Sequence, residues 1–425
     1  MTITIFLGSM LAAMALGIPI AFSLLLCGAA LMWHLDMFDA QILAQNVING
    51  ADSFPLLAVP FFMLAGELMN AGGLSRRIVN FAMALVGHIK GGLGYVTIVA
   101  AVIMASLSGS AVADAAALTA LLLPMMVAAG HDKARSAGLI ASAGIIAPII
   151  PPSIGFVIFG VSANVSISKL FMAGIFPGIW LAAALWFTWW YLVRKEMVMP
   201  PPRKNKAEVL AALREATWAL VLPFIIVFGL KFGVFTPTEA AVVAAVYALV
   251  VSVFVYKELN FKKLVPLFVG AARTCAIVMF LVAAAMVSAW LITVANLPAE
   301  VVALLEPLLG SPKLLMAAIM LLTMVVGTAL DMTPTILLLT PVLMPVVKAA
   351  GIDPVYFGVL FIINNAIGLI TPPVGTVLNA VAGVGKVTMD EVTKGVVPFM
   401  IAQFIIMFLM VLFPQLVMVP AHWFY

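Results

Sequence analysis

Two clusters of small polar residues and prolines interrupt an otherwise apolar chain of 425 residues. The first reads Ser106-Leu107-Ser108-Gly109-Ser110 and, past one apolar stretch and a turn, Ala147-Pro148-Ile149-Ile150-Pro151-Pro152-Ser153. The second reads Gly327-Thr328-Ala329-Leu330-Asp331 and then Asn364-Asn365-Ala366-Ile367-Gly368-Leu369-Ile370-Thr371-Pro372-Pro373. A Pro-Pro pair cannot continue a helix, because each ring removes an N–H and clashes with the preceding turn. The carbonyls before it are left without intrahelical donors. With the neighbouring hydroxyls they form the oxygen ligand set that a hard cation such as sodium takes, and the restarting helix offers its N-terminal N–H groups to an anion. A cation site beside an anion site is what coupled transport needs. A single Ser-Gly-Ser or Pro-Pro more often serves only to kink or pack a membrane helix. Matched interruptions in two halves of a chain favour the binding reading.

Such a match exists at an offset of 221 residues. Pro124 falls on Pro345, Ala128-Ala129-Gly130 on Ala349-Ala350-Gly351, Asp132 on Asp353, Pro151-Pro152 on Pro372-Pro373, Gly174 on Gly395 and Pro177 on Pro398. Apart from a compensated one-residue slip after the double proline, the register holds throughout, so the chain is read as an internal duplication. Lys133 and Arg135 follow Gly130, whereas Asp353 follows Gly351, which suggests that the repeats have opposite topology.

Few ionisable residues stand in apolar surroundings: Asp114, Asp331, Glu67 and Glu239. A carboxylate at the bilayer centre needs a partner or water. Asp331 lies inside the second cluster and is the better ligand candidate. Asp114 follows the first and is as readily read as an acceptor of helix or loop N–H groups. Glu67, near Asn70, Gly72 and Gly73, and Glu239, at a helix start after Thr236-Pro237-Thr238, read as caps. His34, His88, His131 and His422 fall near segment ends and read as interface residues. There is no G-x-x-x-x-G-K-[ST] phosphate loop and no H-E-x-x-H zinc motif. Ser108 has no histidine at membrane depth to act as its base, so a serine nucleophile is unsupported. An intramembrane enzyme is therefore a distant reading, and transport driven by an ion gradient is preferred.

The elements that must position these residues are membrane helices. Hydrophobic residues make up 65% of the chain and charged residues 9%, and mean hydropathy is +1.23. An ordinary soluble domain carries about 25% charged residues, so a soluble enzyme, a nucleic-acid binder and a disordered chain are excluded together. At about 20 residues per crossing the chain can hold roughly ten to twelve crossings. Ile3–Trp33 reads as a first membrane helix rather than a signal peptide. Six of 21 Lys and Arg fall within Arg194–Arg214, which marks that loop as cytoplasmic, with Trp186, Trp189, Trp190 and Tyr191 as its aromatic belt. Cys27 and Cys275 support neither a disulfide nor a metal site.

The stretches PFFMLAGELMNAGGLSRRI, IMASLSGSAVADAAAL and GLIASAGIIAPIIPPSIGFVIFG, with TPPVG in the second half, make the chain resemble the large, DctM-like membrane subunit of tripartite ATP-independent periplasmic (TRAP) transporters, nearly end to end. The early run LLLCGAALMWHLDMFDAQILAQ is also similar to permeases for sugar acids such as diketogulonate. The resemblance implies an all-α polytopic protein of the bacterial inner membrane. Two inverted repeats with re-entrant helical hairpins would form a transport domain that moves, elevator-fashion, against a scaffold. Scaffold helices would occupy 1–92, the first transport repeat 93–180, further scaffold with the basic loop 181–295, the second transport repeat 296–400 and a C-terminal helix 401–425. Function would be sodium-coupled uptake of an organic acid anion, a sugar acid, sialic acid or C4-dicarboxylate, with no cofactor beyond sodium. Partners would be a small four-helix membrane subunit, expected as a separate polypeptide, and a soluble periplasmic binding protein, within the lipid bilayer and without nucleic acid. Carried over residue by residue, one sodium site falls near Ser106, Ser108, Gly109, Gly144, Pro148 and Pro151. A second falls near Gly327, Thr328, Asp331, Gly368 and Thr371. The substrate carboxylate falls near Ser110, Ser153, Asn365 and Thr376. An autonomous ion-coupled carrier or antiporter of a related two-repeat fold, without a binding protein, is the alternative.

Overall fold

The computed structural model describes residues 2–194, 196, 198 and 200–424; Lys195 of the basic loop lies outside them. Among the described residues the regular structure is all helix, with no strand. In order come α1 (Thr2–Ala15), α2 (Ile20–His34), α3 (Ala40–Ala51), α4 (Ala58–Ala71), α5 (Leu74–Val86), α6 (Gly92–Ser108), α7 (Ala111–Ala128), α8 (Lys133–Gly144), α9 (Ile154–Ala163) and α10 (Ile167–Val193). Then follow α11 (Lys206–Lys231), α12 (Pro237–Val250), α13 (Phe261–Val294), α14 (Leu297–Leu304), α15 (Glu306–Leu309), α16 (Pro312–Gly327), α17 (Met332–Ala349), α18 (Pro354–Gly368), α19 (Thr376–Gly385), α20 (Met389–Leu412) and α21 (Gln415–Ala421). Eight of the described helical segments are long and apolar enough to cross a bilayer. The shortfall from ten to twelve arises because much of the apolar length is spent on shorter helices. One such case is Ile3–Trp33, which is not a single membrane helix: Gly17, at φ +79°, and Pro19 divide it into α1 and α2.

The duplication is visible helix by helix. α6–α10 and α16–α20 run in the same order, and α7 and α17 are displaced by 221 residues at both ends. The repeated Ala-Ala-Gly-x-Asp has a local cause. Gly130 and Gly351 adopt positive φ, +90° and +66°, where each helix ends, and the aspartate caps the next helix. The Asp132 carboxylate accepts Arg135 N–H at 2.7 Å, and Asp353 accepts Val355 and Tyr356 N–H at 2.8 and 2.9 Å.

Landmarks at the ends of α10 and α20 establish the topology. α10 starts beside Asn164, which shares a cavity with Lys348 at the end of α17. It ends near Glu196, whose carboxylate meets His131 beyond the end of α7 at 3.0 Å. With 27 residues, α10 spans about 40 Å, so α7 and α17 end on opposite sides of the membrane. α20 runs the other way, from Lys386, whose carbonyl accepts Lys133 Nζ at 2.8 Å, to Met410, whose carbonyl accepts Tyr356 Oη at 2.9 Å. The repeats are therefore inverted. α6/α7 and α16/α17 are re-entrant hairpins from opposite sides, while α8–α9 and α18–α19 are helices broken midway. Lys90, Lys133, Arg135, Arg194, Lys386 and Lys394 lie on the α7 side, which is cytoplasmic by the retention of Lys and Arg there.

Reciprocal packing follows: α9 lies on α17 as α19 lies on α7, and α8 packs α20 as α10 packs α18. Gly138 and Gly395 let α8 and α20 approach so closely that a Cβ on either would overlap the other helix's backbone. Around this core, α4 packs on α12, α11 on α5, and α13 on α2 and α3. Positions 180 and 400 fall inside α10 and α20, so the repeat limits drawn there cut continuous helices. Trp189 is fully buried, donating to Gly91 O at 2.8 Å and stacking beside His131 and Phe399. Trp190 and Tyr191 stay exposed, so the aromatic belt is narrower than four residues. His131 is likewise no interface residue: it is buried against Glu196, which also pairs with Arg135.

Candidate functional site

At the first hairpin tip α6 stops because Gly109 takes a left-handed conformation, φ +62°. The side-chain oxygen of Ser110 then caps α7 through Ala113 N–H. A Cβ on Gly109 would overlap Pro152 O, so the tip rests on the Pro-Pro break. Ser153 Oγ donates to Pro148 O at 2.5 Å and accepts Phe156 N–H at 3.1 Å, capping α9. Ser108 Oγ accepts Ser110 N–H at 3.2 Å and donates to Asp114 Oδ1 at 2.6 Å. Asp114 is 1% exposed, and its Oδ2 has no partner among the described residues. Its bond is to a hydroxyl, not to helix or loop N–H groups. Gly144 abuts α7, where its Cβ would stand 2.7 Å from Ala115 Cβ. The structure thus brings Ser108, Gly109, Ser110, Gly144, the Pro151-Pro152 break and Ser153 together. Ser106 turns away, donating to Ile103 O at 2.6 Å.

At the second tip Gly327 faces Gly368, a Cβ on the former lying 3.5 Å from Gly368 Cα. Thr328 O accepts Val374 N–H at 3.4 Å, while Thr328 Oγ1 turns to Val325 O. Asp331 stands exposed before α17 without capping it and accepts Thr376 Oγ1 at 3.3 Å. Thr371 Oγ1 is committed to Ile367 O at 2.8 Å. Asn365 is buried, with Nδ2 donated to Phe361 O at 2.8 Å and Oδ1 unpartnered among the described residues. Gly327, Thr328, Asp331, Gly368 and Thr376 are therefore assembled, whereas Thr371 faces its own helix.

The halves meet between these tips. A Cβ on Gly155, at the start of α9, would lie 3.1 Å from Met332 Cε at the start of α17. The two restarting helices differ. α9 is capped by Ser153, but α19 begins after Gly375, at φ +47°, with no side-chain cap among the described residues. Val377 N–H goes to Leu369 O at 3.0 Å, which leaves Thr376 and Leu378 N–H as the better placed for an anion. Glu239 forms a capping box with Thr236. Glu67 is exposed on α4 and caps nothing among the described residues.

Three buried polar side chains, Asn364, Thr323 and Gln403, tie the core together in roles the sequence did not assign. Asn364 Nδ2 bridges α18 to α16 through Met320 O, at 2.6 Å, and Thr323 Oγ1. Gln403 Nε2 bridges α20 to α8 through Ser142 O at 2.9 Å. For Thr323 and Gln403 a lone polar residue inside an apolar helix is the available signal, whereas Asn364 stands beside Asn365 in the second cluster without an assigned role.

Comparison with known proteins agrees with this architecture. Residues 7–416 match the family described as "Tripartite ATP-independent periplasmic transporter, DctM component". The chain is 58% identical to the 2,3-diketo-L-gulonate TRAP transporter large permease protein of Escherichia coli K12, over 100% of both chains. It is 39% identical to the sialic acid TRAP transporter large permease protein of Vibrio cholerae, over 94% of this chain and 93% of that one. Among solved structures, the Alcanivorax borkumensis YdaH transporter superimposes with a TM-score of 0.66 at 15% identity, covering 91% of each chain, which is a likeness of fold.

Proposed function

The chain belongs to the DctM family of TRAP transporters, and on that premise we propose that it couples sodium entry to uptake of a sugar-acid anion by an elevator movement. As a large permease of that family it is a transporter and not an enzyme, a multi-pass protein of the bacterial inner membrane. Its family implies a small membrane subunit and a periplasmic binding protein, and we assign the first as a four-helix partner of the scaffold.

The observation that carries the reading is the meeting of two oppositely oriented hairpin tips over two broken helices. In this reading sodium is held at tip one by Ser108, the backbone around Gly109 and the carbonyls of the Pro148–Pro151 break. At tip two it is held by Thr328, Asp331 and the backbone at Gly327 and Gly368. Ser106, Gly144 and Thr371 support these loops. The substrate carboxylate lies between Ser110, Ser153, Asn365 and Thr376, nearest the uncapped start of α19. Hydroxyls and carbonyls dominate both linings, whereas a proton relay would need chains of carboxylates or histidines. The hairpins and broken helices would move as one body against α1–α5 and α11–α13. A sugar acid is preferred because a relative 58% identical over the full length of both chains is a diketogulonate permease.

The test is reconstitution of the chain with its small subunit in proteoliposomes. Uptake of 2,3-diketo-L-gulonate should require both an inward sodium gradient and the loaded binding protein. Uptake under a proton gradient with sodium absent would overturn the coupling. Uptake without a binding protein would mark an autonomous carrier instead.

A further inference from the structure

We propose that a cavity of about 560 Å³ with a mixed polar and apolar lining, between α3, α9, α13 and α17, is an entry subsite that holds a hydroxylated organic acid before it reaches the hairpin tips. The volume lies within the range of small-molecule pockets, about 300–1,000 Å³. The cavity opens on the side opposite the basic loop, from which a periplasmic anion arrives. None of its lining residues belongs to the proposed site, and Thr340 is nine residues beyond Asp331 on α17, about 14 Å along the helix axis.

The lining carries one cation and several uncharged hydrogen-bonding groups. Lys348 is exposed, and no ion pair among the described residues involves it. Thr340 is fully buried and its Oγ1 has no partner among the described residues. Asn49 accepts Gln45 Nε2 at 3.1 Å through Oδ1, which leaves its own Nδ2 to donate. Ser162, Asn164 and Trp290 add a hydroxyl, an amide and an indole N–H. Pro341 and Pro345 remove two helix donors from the same wall, freeing the carbonyls one turn earlier. One cation with donors and acceptors of this kind suits a carboxylate bearing several hydroxyls better than it suits either a neutral sugar or a fatty acid.

The inverted repeat supplies an internal control. The counterpart of Thr340 is Thr119, whose Oγ1 is satisfied by Ala115 O at 2.6 Å, and the counterpart of Lys348 is Val127. The cation and the unpartnered hydroxyl thus occur in the copy that faces the periplasm and are absent from the same positions in the cytoplasmic copy. Packing alone would not demand that difference.

The proposal rests on the reading of the chain as an organic-acid permease, but its test involves no transport step, so the two can fail separately. The chain with its small subunit, carrying Cys27→Ala, Cys275→Ala and Ser162→Cys, is labelled with a membrane-impermeant maleimide while D-gluconate is titrated as probe. Gluconate should slow labelling, and D-glucose and hexanoate should not. Lys348→Met should raise the half-protecting gluconate concentration about tenfold, the loss of one charge-assisted contact, and Lys348→Arg should restore protection. Protection should persist without sodium and in Asp331→Asn. Absence of protection by gluconate, equal protection by glucose or hexanoate, or protection indifferent to Lys348→Met would overturn the subsite. So would protection that vanishes without sodium or in Asp331→Asn, since the central site would then be its source.

Discussion

Replacing Asp331 by Asn is the sharpest perturbation of the second sodium site, because it keeps the volume and one oxygen ligand while removing the charge. Asp331 is exposed and accepts a hydrogen bond from Thr376 Oγ1 at 3.3 Å. A carboxylate and a cation about 4 Å apart attract by about 1 kcal/mol in water and by about 4 kcal/mol at an effective dielectric of 20. Exposure places Asp331 toward the lower figure, and about 1 kcal/mol corresponds to roughly a fivefold rise in half-saturating sodium. The assay is the initial rate of uptake against sodium concentration in proteoliposomes, with small subunit and loaded binding protein held constant. Asp114→Asn is the control. Its amide oxygen can still accept Ser108 Oγ, but its NH2 takes the buried position where Oδ2 has no partner. The unaltered carboxylate already leaves a buried atom unpaired there, so thermal stability should change little while the sodium curve holds its midpoint. An unchanged sodium curve in Asp331→Asn, with a shifted one in Asp114→Asn, would refute the assignment of roles.

Gly109→Ala should lower stability by about 1–2 kcal/mol for the left-handed conformation alone and should slow uptake further, because its Cβ displaces Pro152 O. Thermal unfolding and initial rates measure the two effects. Gly395→Ala should destabilise by about 1–3 kcal/mol, as overpacked cores do, since Ala134 O cannot yield without parting α8 from α20. Asn364→Leu removes two hydrogen bonds between α18 and α16 and should cost roughly 2 kcal/mol of thermal stability. Cysteines placed at Lys386 and Lys348 should label from opposite sides of the membrane. Labelling from the same side would contradict inversion.

The helices and their duplication were legible because both rest on local chemistry. The Ala-Ala-Gly-x-Asp repeat marks a left-handed stop followed by a cap, and Pro-Pro marks a break, wherever tertiary structure puts them. Inversion was legible through three charges, Lys133, Arg135 and Asp353. The tips were legible as clusters, but the direction in which each side chain turns was not. Ser106 and Thr371 lie within the motifs and bond to their own helices, because a serine or threonine in an apolar helix is readily satisfied by a carbonyl one turn back. Trp189 and His131 were misplaced for a related reason. Proximity to a segment end says nothing about which face of the helix a residue occupies, and both face the core. The cavity around Lys348 draws on four separated helices and has no local signature at all.

The two tips carry the same pair of groups in opposite order, and this order sets their environments. At the repeat offset Ser110 matches Asp331 and Asp114 matches Thr335, each pair lying four residues apart on one helix. The position just before the helix is open, so Ser110 is half-buried and Asp331 exposed. The position one turn in is closed, so Asp114 and Thr335 are both buried. Each closed group has its own solution: Thr335 Oγ1 donates to Asp331 O at 2.8 Å, and Asp114 takes the hydroxyl of Ser108. The residue matching Ser108 in the second repeat is Ala329, which has no hydroxyl. Exchanging the order there, with Asp331→Ser and Thr335→Asp, should therefore bury a carboxylate without its donor and lower stability by at least about 1–3 kcal/mol. Adding Ala329→Ser supplies the donor at the position Ser108 holds and should recover part of that loss in thermal unfolding. A double exchange as stable as the unaltered protein, or a triple variant no better than the double, would mean that the Ser108–Asp114 bond is not what makes a buried carboxylate tolerable at a hairpin tip.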